Sequence, residues 1–126
     1  MSTYHAVSGN LDITGRQLKP AAIISELLLE TLREADALGL GHAKSEVNAD
    51  GSSFFASTTG YPEIVEFKQD AEAIVTDRME VRVTIIIAGE GVEKLKQAYL
   101  RTLDRLASKY DLEIGGQKIV EHHHHR

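Results

Sequence analysis

Apolar and polar side chains change their period several times along this chain, and each change marks an element. From Tyr4 to Ile13 they alternate, with Val7, Leu11 and Ile13 on one side and Ser8, Asn10 and Asp12 on the other. That is the pattern of a half-buried strand. Thr14-Gly15-Arg16-Gln17 reads as a loop. Pro20 suits the first turn of a helix, where its missing N–H is no loss. From there Ala21, Ile24, Leu28, Thr31, Leu32, Ala35 and Leu38 recur at a helical period. The spacing predicts a helix from Pro20 to Leu38, capped by Gly39. Ile23 and Leu29 flank the stripe, so its apolar surface is wider than one contact needs. A second neighbour is expected there, such as another subunit.

His42 to Asn48 and Ser52 to Thr58 form a predicted hairpin about Asp50-Gly51, two residues that tolerate positive φ. Over Pro62 to Thr76, Ile64, Phe67, Ala71, Ile74 and Val75 fit a helical stripe. Val65/Phe67 and Ala73/Val75 also alternate as strands do, but the helical template matches more residues and is preferred. Met79 to Ala88 alternates cleanly until Ile86 makes the polar face apolar, so a central strand is expected. Gly89-Glu90-Gly91 ends it. A second helix then runs to Tyr110 on Val92, Leu95, Tyr99, Thr102, Leu103 and Leu106. Leu112 to Val120 reads as a final strand or a small hairpin about Gly115-Gly116.

The fold class is therefore α+β, in the order β-α-β-β-(α)-β-α-β. An antiparallel or mixed sheet with helices packed on one face is the simplest layering. The two strand–helix–strand halves are compatible with a ferredoxin-like arrangement. No repeat or linker divides the chain, so residues 1–120 read as one domain. Residues 121–126, the tail Glu121-His-His-His-His-Arg126, read as the remnant of a purification tag and are set aside from the fold.

Composition narrows the chemistry. At 126 residues the chain is long enough to bury its own core. It is cysteine-free, which removes disulfides, thiolate metal sites, iron–sulfur clusters and cysteine nucleophiles. The start MSTYHAVSG lacks the basic and apolar regions of a secretory signal, and Val83 to Ala88 is too short to span a bilayer. The expected setting is cytoplasmic, with no membrane partner. A net charge of −5 argues against nucleic acid as a general partner.

No catalytic constellation, metal motif or cofactor motif stands out, and none is expected. His5 and His42 begin two predicted strands and read first as surface residues; beside Asp12 or Glu46 they would make an acid–base or metal site. The junction Gly89-Glu90-Gly91-Val92 leads a strand into a helix N-terminus, where exposed N–H groups suit an anion. Lys94 adds charge there, and Arg101, Arg105 and Lys109 continue a basic face along the helix. The candidate ligand site is thus Gly89, Gly91, Val92, Lys94, Arg101 and Arg105. Glu90 and Glu93 oppose an anion, and a solvated helix surface explains the same bases. Arg78, Glu80 and Arg82, on the non-core face of the central strand, suit either cross-strand pairs or a polar cleft.

The leading expectation is a non-catalytic, self-associating module that binds a small anionic metabolite, phosphorylated or carboxylated, or an acidic protein partner. The alternative is a small enzyme on such a substrate, with His5 or His42 as acid–base. A third reading, an RNA-binding domain, requires the basic helix to share a face with Phe54, Phe55 or Tyr61.

Overall fold

The computed structural model describes residues 3–88, 91–117 and 119–125. Among them, seven strands form one antiparallel sheet and two helices cover one of its faces. The elements are β1 (Thr3–Leu18), α1 (Pro20–Glu34), β2 (Gly41–Ala49), β3 (Ser52–Thr58), β4 (Glu66–Lys68), β5 (Thr76–Ala88), α2 (Val92–Tyr110), β6 (Glu113–Gly115) and β7 (Val120–His125). The order across the sheet is β4-β3-β2-β5-β1-β6, with β7 also on β1.

The period-two pattern decides what each strand buries. Val7, Leu11 and Ile13 of β1 turn inward with Met79, Val81, Val83, Ile85 and Ile87 of β5, and with Ala43 and Val47 of β2. They meet Ile24, Leu27, Leu28 and Leu32 of α1 and Leu95, Tyr99 and Leu103 of α2 in a single core. The alternate positions, among them Asn10, Asp12, Lys44, Glu46, Glu80 and Arg82, face away from the helices and are exposed. Part of the surplus apolar surface of α1 is covered within the chain. Ile23 is buried and α1 packs along α2, while Leu29 on the other flank is half-buried.

Four stretches differ from the sequence reading, each for a physical reason. Strand β1 runs on through 14–18 with an irregularity between Thr14 and Leu18. Gln17 takes a left-handed φ of 50° and its N–H bonds Asp77 Oδ1 at 2.8 Å, which returns Leu18 to the core opposite Thr76. Helix α1 stops at Glu34, short of Leu38. Asp36 is left-handed (φ 53°), its N–H bonds Arg33 O, and the Ala37 N–H bonds Leu32 O. These bonds satisfy the last carbonyls one turn before Gly39.

The preferred helix over Pro62–Thr76 is not formed. Strand β4 pairs instead with the outer edge of β3, Ala56 opposite Phe67. Phe67 lies edge-on to the buried Phe54, ring centroids 5.8 Å apart. The inner face of the sheet already carries two helices, while the β3 edge offered unpaired backbone groups. A short strand satisfies those groups and still places Phe67 on the core. Gln69 then turns left-handed (φ 72°), and the Thr76 hydroxyl ties the return to Asp50 Oδ2 at 2.6 Å.

The end of the chain is neither a hairpin nor a single strand. Strands β6 and β7 both pair with β1, at Asp12–Thr14 and Thr3–Ser8, and the Asn10 N–H bonds Gln117 O at 2.8 Å between them. Gly116 makes the bend at φ 90°, where a Cβ would lie 2.8 Å from Asn10 O. The backbone of Glu121–His125, set aside above as a tag remnant, continues this edge, since backbone pairing asks little of side-chain identity. No helix among the described residues is long and apolar enough to cross a membrane.

Candidate functional site

The residues singled out on the second helix lie at two places on α2. Gly89 falls outside the described residues. Gly91 is the left-handed N-cap (φ 119°) and Val92 opens the helix, with the Leu95 N–H on Gly91 O. Lys94, one turn in, bonds Asp36 Oδ2 at 2.7 Å. Arg101 and Arg105 lie further along, both on Glu34. Arg105 donates to Oε1 at 2.5 Å, and Arg101 Nε faces Oε2 at 3.5 Å as an ion pair without hydrogen-bond geometry. Lys109 reaches Glu26 at 2.7 Å, and Lys96 reaches Glu121 at 3.1 Å.

Every lysine and arginine of α2 is thus ion-paired: Arg101, Arg105 and Lys109 to α1, Lys94 to Asp36 just beyond it, and Lys96 to β7. The acidic surface that this basic face fits is the chain's own first helix. A groove of about 650 Å³ does run between the helices past Glu26, Glu30, Arg105 and Lys109. An anion entering it must displace carboxylates already in place.

These pairs leave a pH signature. The hydrogen bond from Arg105, opposed by partial burial and aided by the charges of Arg105 and Arg101, holds the Glu34 carboxyl below its ordinary value. Lys94 does the same for Asp36. At Glu26, burial raises the carboxyl, but hydrogen bonds from Lys109 and Tyr110 outweigh it and leave it lowered. A carboxyl lowered in the folded state binds fewer protons folded than unfolded, so its stabilisation is full above the ordinary value of 4.5. It is lost as pH falls through the lower folded value. Glu34→Gln is expected to destabilise the fold by about 0.5–1 kcal/mol at neutral pH, the range of a partly exposed pair. The deficit should shrink below pH ~4. Urea midpoints across pH check this; a deficit unchanged at low pH would show that the pair contributes nothing.

The sheet's outer face is arranged differently. Register stacks its side chains in rows across the strands. Glu66 of β4 faces Ser57 of β3, which faces Lys44 of β2; Lys44 faces Thr84 of β5, which faces Ser8 of β1. The next row is Lys68, Phe55, Glu46, Arg82 and Asn10. The third is Ser53, Asn48, Glu80 and Asp12. None of Lys44, Lys68, Arg78 and Arg82 forms an ion pair with a described residue. Lys44, Lys68 and Arg82 line one groove of about 610 Å³ together with two carboxylates, Glu46 and Glu66, and with Phe55, Thr84 and Ile86. Phe55 is 48% exposed at its floor. A second concavity, about 420 Å³, adjoins it through Glu46 and Arg82 and is lined by Asn10, Asp12, Asn48 and Glu80.

The sequence had marked Arg82 and Glu80 as possible cleft residues, but not Lys44, Lys68 or Phe55. Their signal was the plain alternation of Lys44, Glu46 and Asn48 against Ala43, Ser45 and Val47, which names a face without saying what lies across it.

The histidines do not meet. His42 is exposed on the outer face opposite Ile86, and His5 lies toward the helices opposite Ile87, with β5 between their strands. His5 is at the end of β5 that leads toward Gly91. No group of three or more His, Asp or Glu among the described residues is placed to hold a metal ion. Of the aromatics that an RNA-binding reading needs for stacking, Tyr61 is exposed in the loop after β3. Phe54 is fully buried, and the exposed Phe55 is on the face opposite α2. Neither a protein-family model nor a curated protein matches the chain.

Proposed function

We propose that this chain is a binding module for a small anionic ligand, phosphorylated or carboxylated, taken up on the open face of its sheet. One observation carries this reading. The bases of α2 are all engaged by carboxylates, whereas Lys44, Lys68 and Arg82 line a common groove with no ion-pair partner among the described residues. A groove of about 610 Å³ is of ordinary size for a small-molecule site. Guanidinium and ammonium donors, with the Thr84 hydroxyl between them, match phosphate or carboxylate oxygens. The paired halves and strand order are read here as a ferredoxin-like arrangement enlarged by β3 and β4, an analogy that supports no activity by itself.

Amide NMR spectra with inorganic phosphate and with citrate, titrated at constant ionic strength, test the reading. Saturable shifts are expected at the groove residues of β2, β3 and β5. Arg82→Gln or Lys44→Gln should weaken binding at least ~10-fold, the value of one charge-assisted hydrogen bond. Arg105→Gln should leave affinity unchanged. No saturable shift with either anion, or shifts confined to α2, would sink the proposal.

A further inference from the structure

The two outer-face concavities are one trough with opposite ends. Along β2 the outward residues are Lys44, Glu46 and Asn48, and along β5, running the other way, Thr84, Arg82 and Glu80. On β2 and β5, Lys44 and Thr84 therefore form a donor row that ends at Glu66 on β4, Glu46 and Arg82 a mixed row, and Asn48 and Glu80 an acceptor-rich row extended by Asp12. Successive rows are about 7 Å apart along the strands. The trough changes from anion-binding to donor-binding over two such steps.

The acceptor end is costly without an occupant. Asp12 and Glu80 are directly opposed across the β1–β5 ladder, and like charges so placed repel; Arg78, the next outward residue of β5, shares a concavity with Asn48 and Glu80 but forms no ion pair with either carboxylate. They are not part of a metal-ligand group among the described residues. Hydroxyl donors satisfy carboxylate and amide oxygens without requiring a positive charge, and the same trough offers cationic donors at its other end. From this charge complementarity we infer that the ligand is a polyhydroxylated phosphate ester of sugar-phosphate size. Its phosphate lies over Lys44, Thr84 and Arg82, and its hydroxyls donate to Glu46, Asn48 and Glu80. The inference rests on the open-face reading above and adds the ligand's second end.

Calorimetry with inorganic phosphate, a hexose monophosphate and the same hexose without phosphate separates the two claims. The hexose monophosphate is expected to bind at least 10-fold tighter than inorganic phosphate. Glu80→Gln and Asn48→Ala should remove that advantage while leaving phosphate affinity unchanged; Lys44→Gln should weaken both phosphates. Glu80→Gln relieves the repulsion with Asp12, so its fold is kept, and amide spectra verify this. If hexose monophosphate and phosphate bind equally and both depend on Arg82, this inference falls and the anion site stands. If neither binds, both fall. Preference for phosphoethanolamine over the hexose monophosphate would assign the acceptor end to an ammonium and overturn the hydroxyl assignment.

Discussion

Replacing Gly41 with alanine is expected to destabilise the fold by about 3 kcal/mol, the upper range for forced overpacking. Gly41 opens β2 opposite Ile87, and a Cβ there would come within 2.0 Å of Ile86 O and 3.0 Å of the Ile86 carbonyl carbon. The atoms in the way are backbone in the middle of the sheet, so no side-chain rotation relieves the contact. Strand β2 must move off β5, and the neighbouring bond from the Ala88 N–H to Leu40 O, 3.2 Å, goes with it. Gly115→Ala is the matched control, because its Cβ meets nothing within 4 Å and its φ is not left-handed. That change should stay within about 0.5 kcal/mol of the parent. Denaturant midpoints at constant slope measure both, and near-equal midpoints would refute the close approach of the two strands. Because Lys44 and Arg82 sit on these strands, a folded Gly41→Ala protein should also bind phosphate less tightly than the Gly115→Ala protein.

Phe54→Ala should cost about 3–5 kcal/mol, in the range of fully buried aromatic truncations. Phe54 has no exposed surface and is the platform on which Phe67 rests, at 5.8 Å and 61° between rings. The loss has two parts. One is the cavity left in the core; the other is the release of β4, a three-residue strand held to β3 by Phe55–Lys68, Ala56–Phe67 and Ser57–Glu66 pairing. Phe67→Ala removes only the second part. It should cost less globally, about 1–2 kcal/mol, while amide exchange across 66–68 accelerates as much as in Phe54→Ala. If exchange at 66–68 is unchanged in both variants, β4 is held by something other than this aromatic contact.

The disputed segment shows why periodicity was insufficient. Ile64, Phe67, Ala71 and Ile74 match a helix in one dimension, yet in the fold Ile64 is exposed while Ala71 is buried. What the segment does depends on the free edge of β3, and no local pattern reports a free edge. The basic face of α2 is a parallel case. Lys94, Arg101 and Arg105 were legible as charges on one helix, but their partners Asp36 and Glu34 lie 58, 67 and 71 residues away in sequence. Hence bases that read as open to an anion are each paired with a carboxylate of the chain itself. Acid-side stability data on Glu34→Gln bear on the same point.

By itself the sequence determined the local elements: two helices, the 42–58 hairpin, the alternation that buries Val81, Val83 and Ile85, and the exclusion of cysteine chemistry. These follow from side-chain period and turn residues, which act over a few positions. Only the tertiary structure decided which strands are neighbours, and therefore which charges are already paired. Placing β5 between β1 and β2 brings Arg82 between Asn10 and Glu46, and Thr84 between Ser8 and Lys44. With the helices all on one side, these rows form an uncovered face. The candidate site moved from a helix with a visible row of bases to a sheet face assembled from strands distant in sequence, because ion pairing and register are long-range properties.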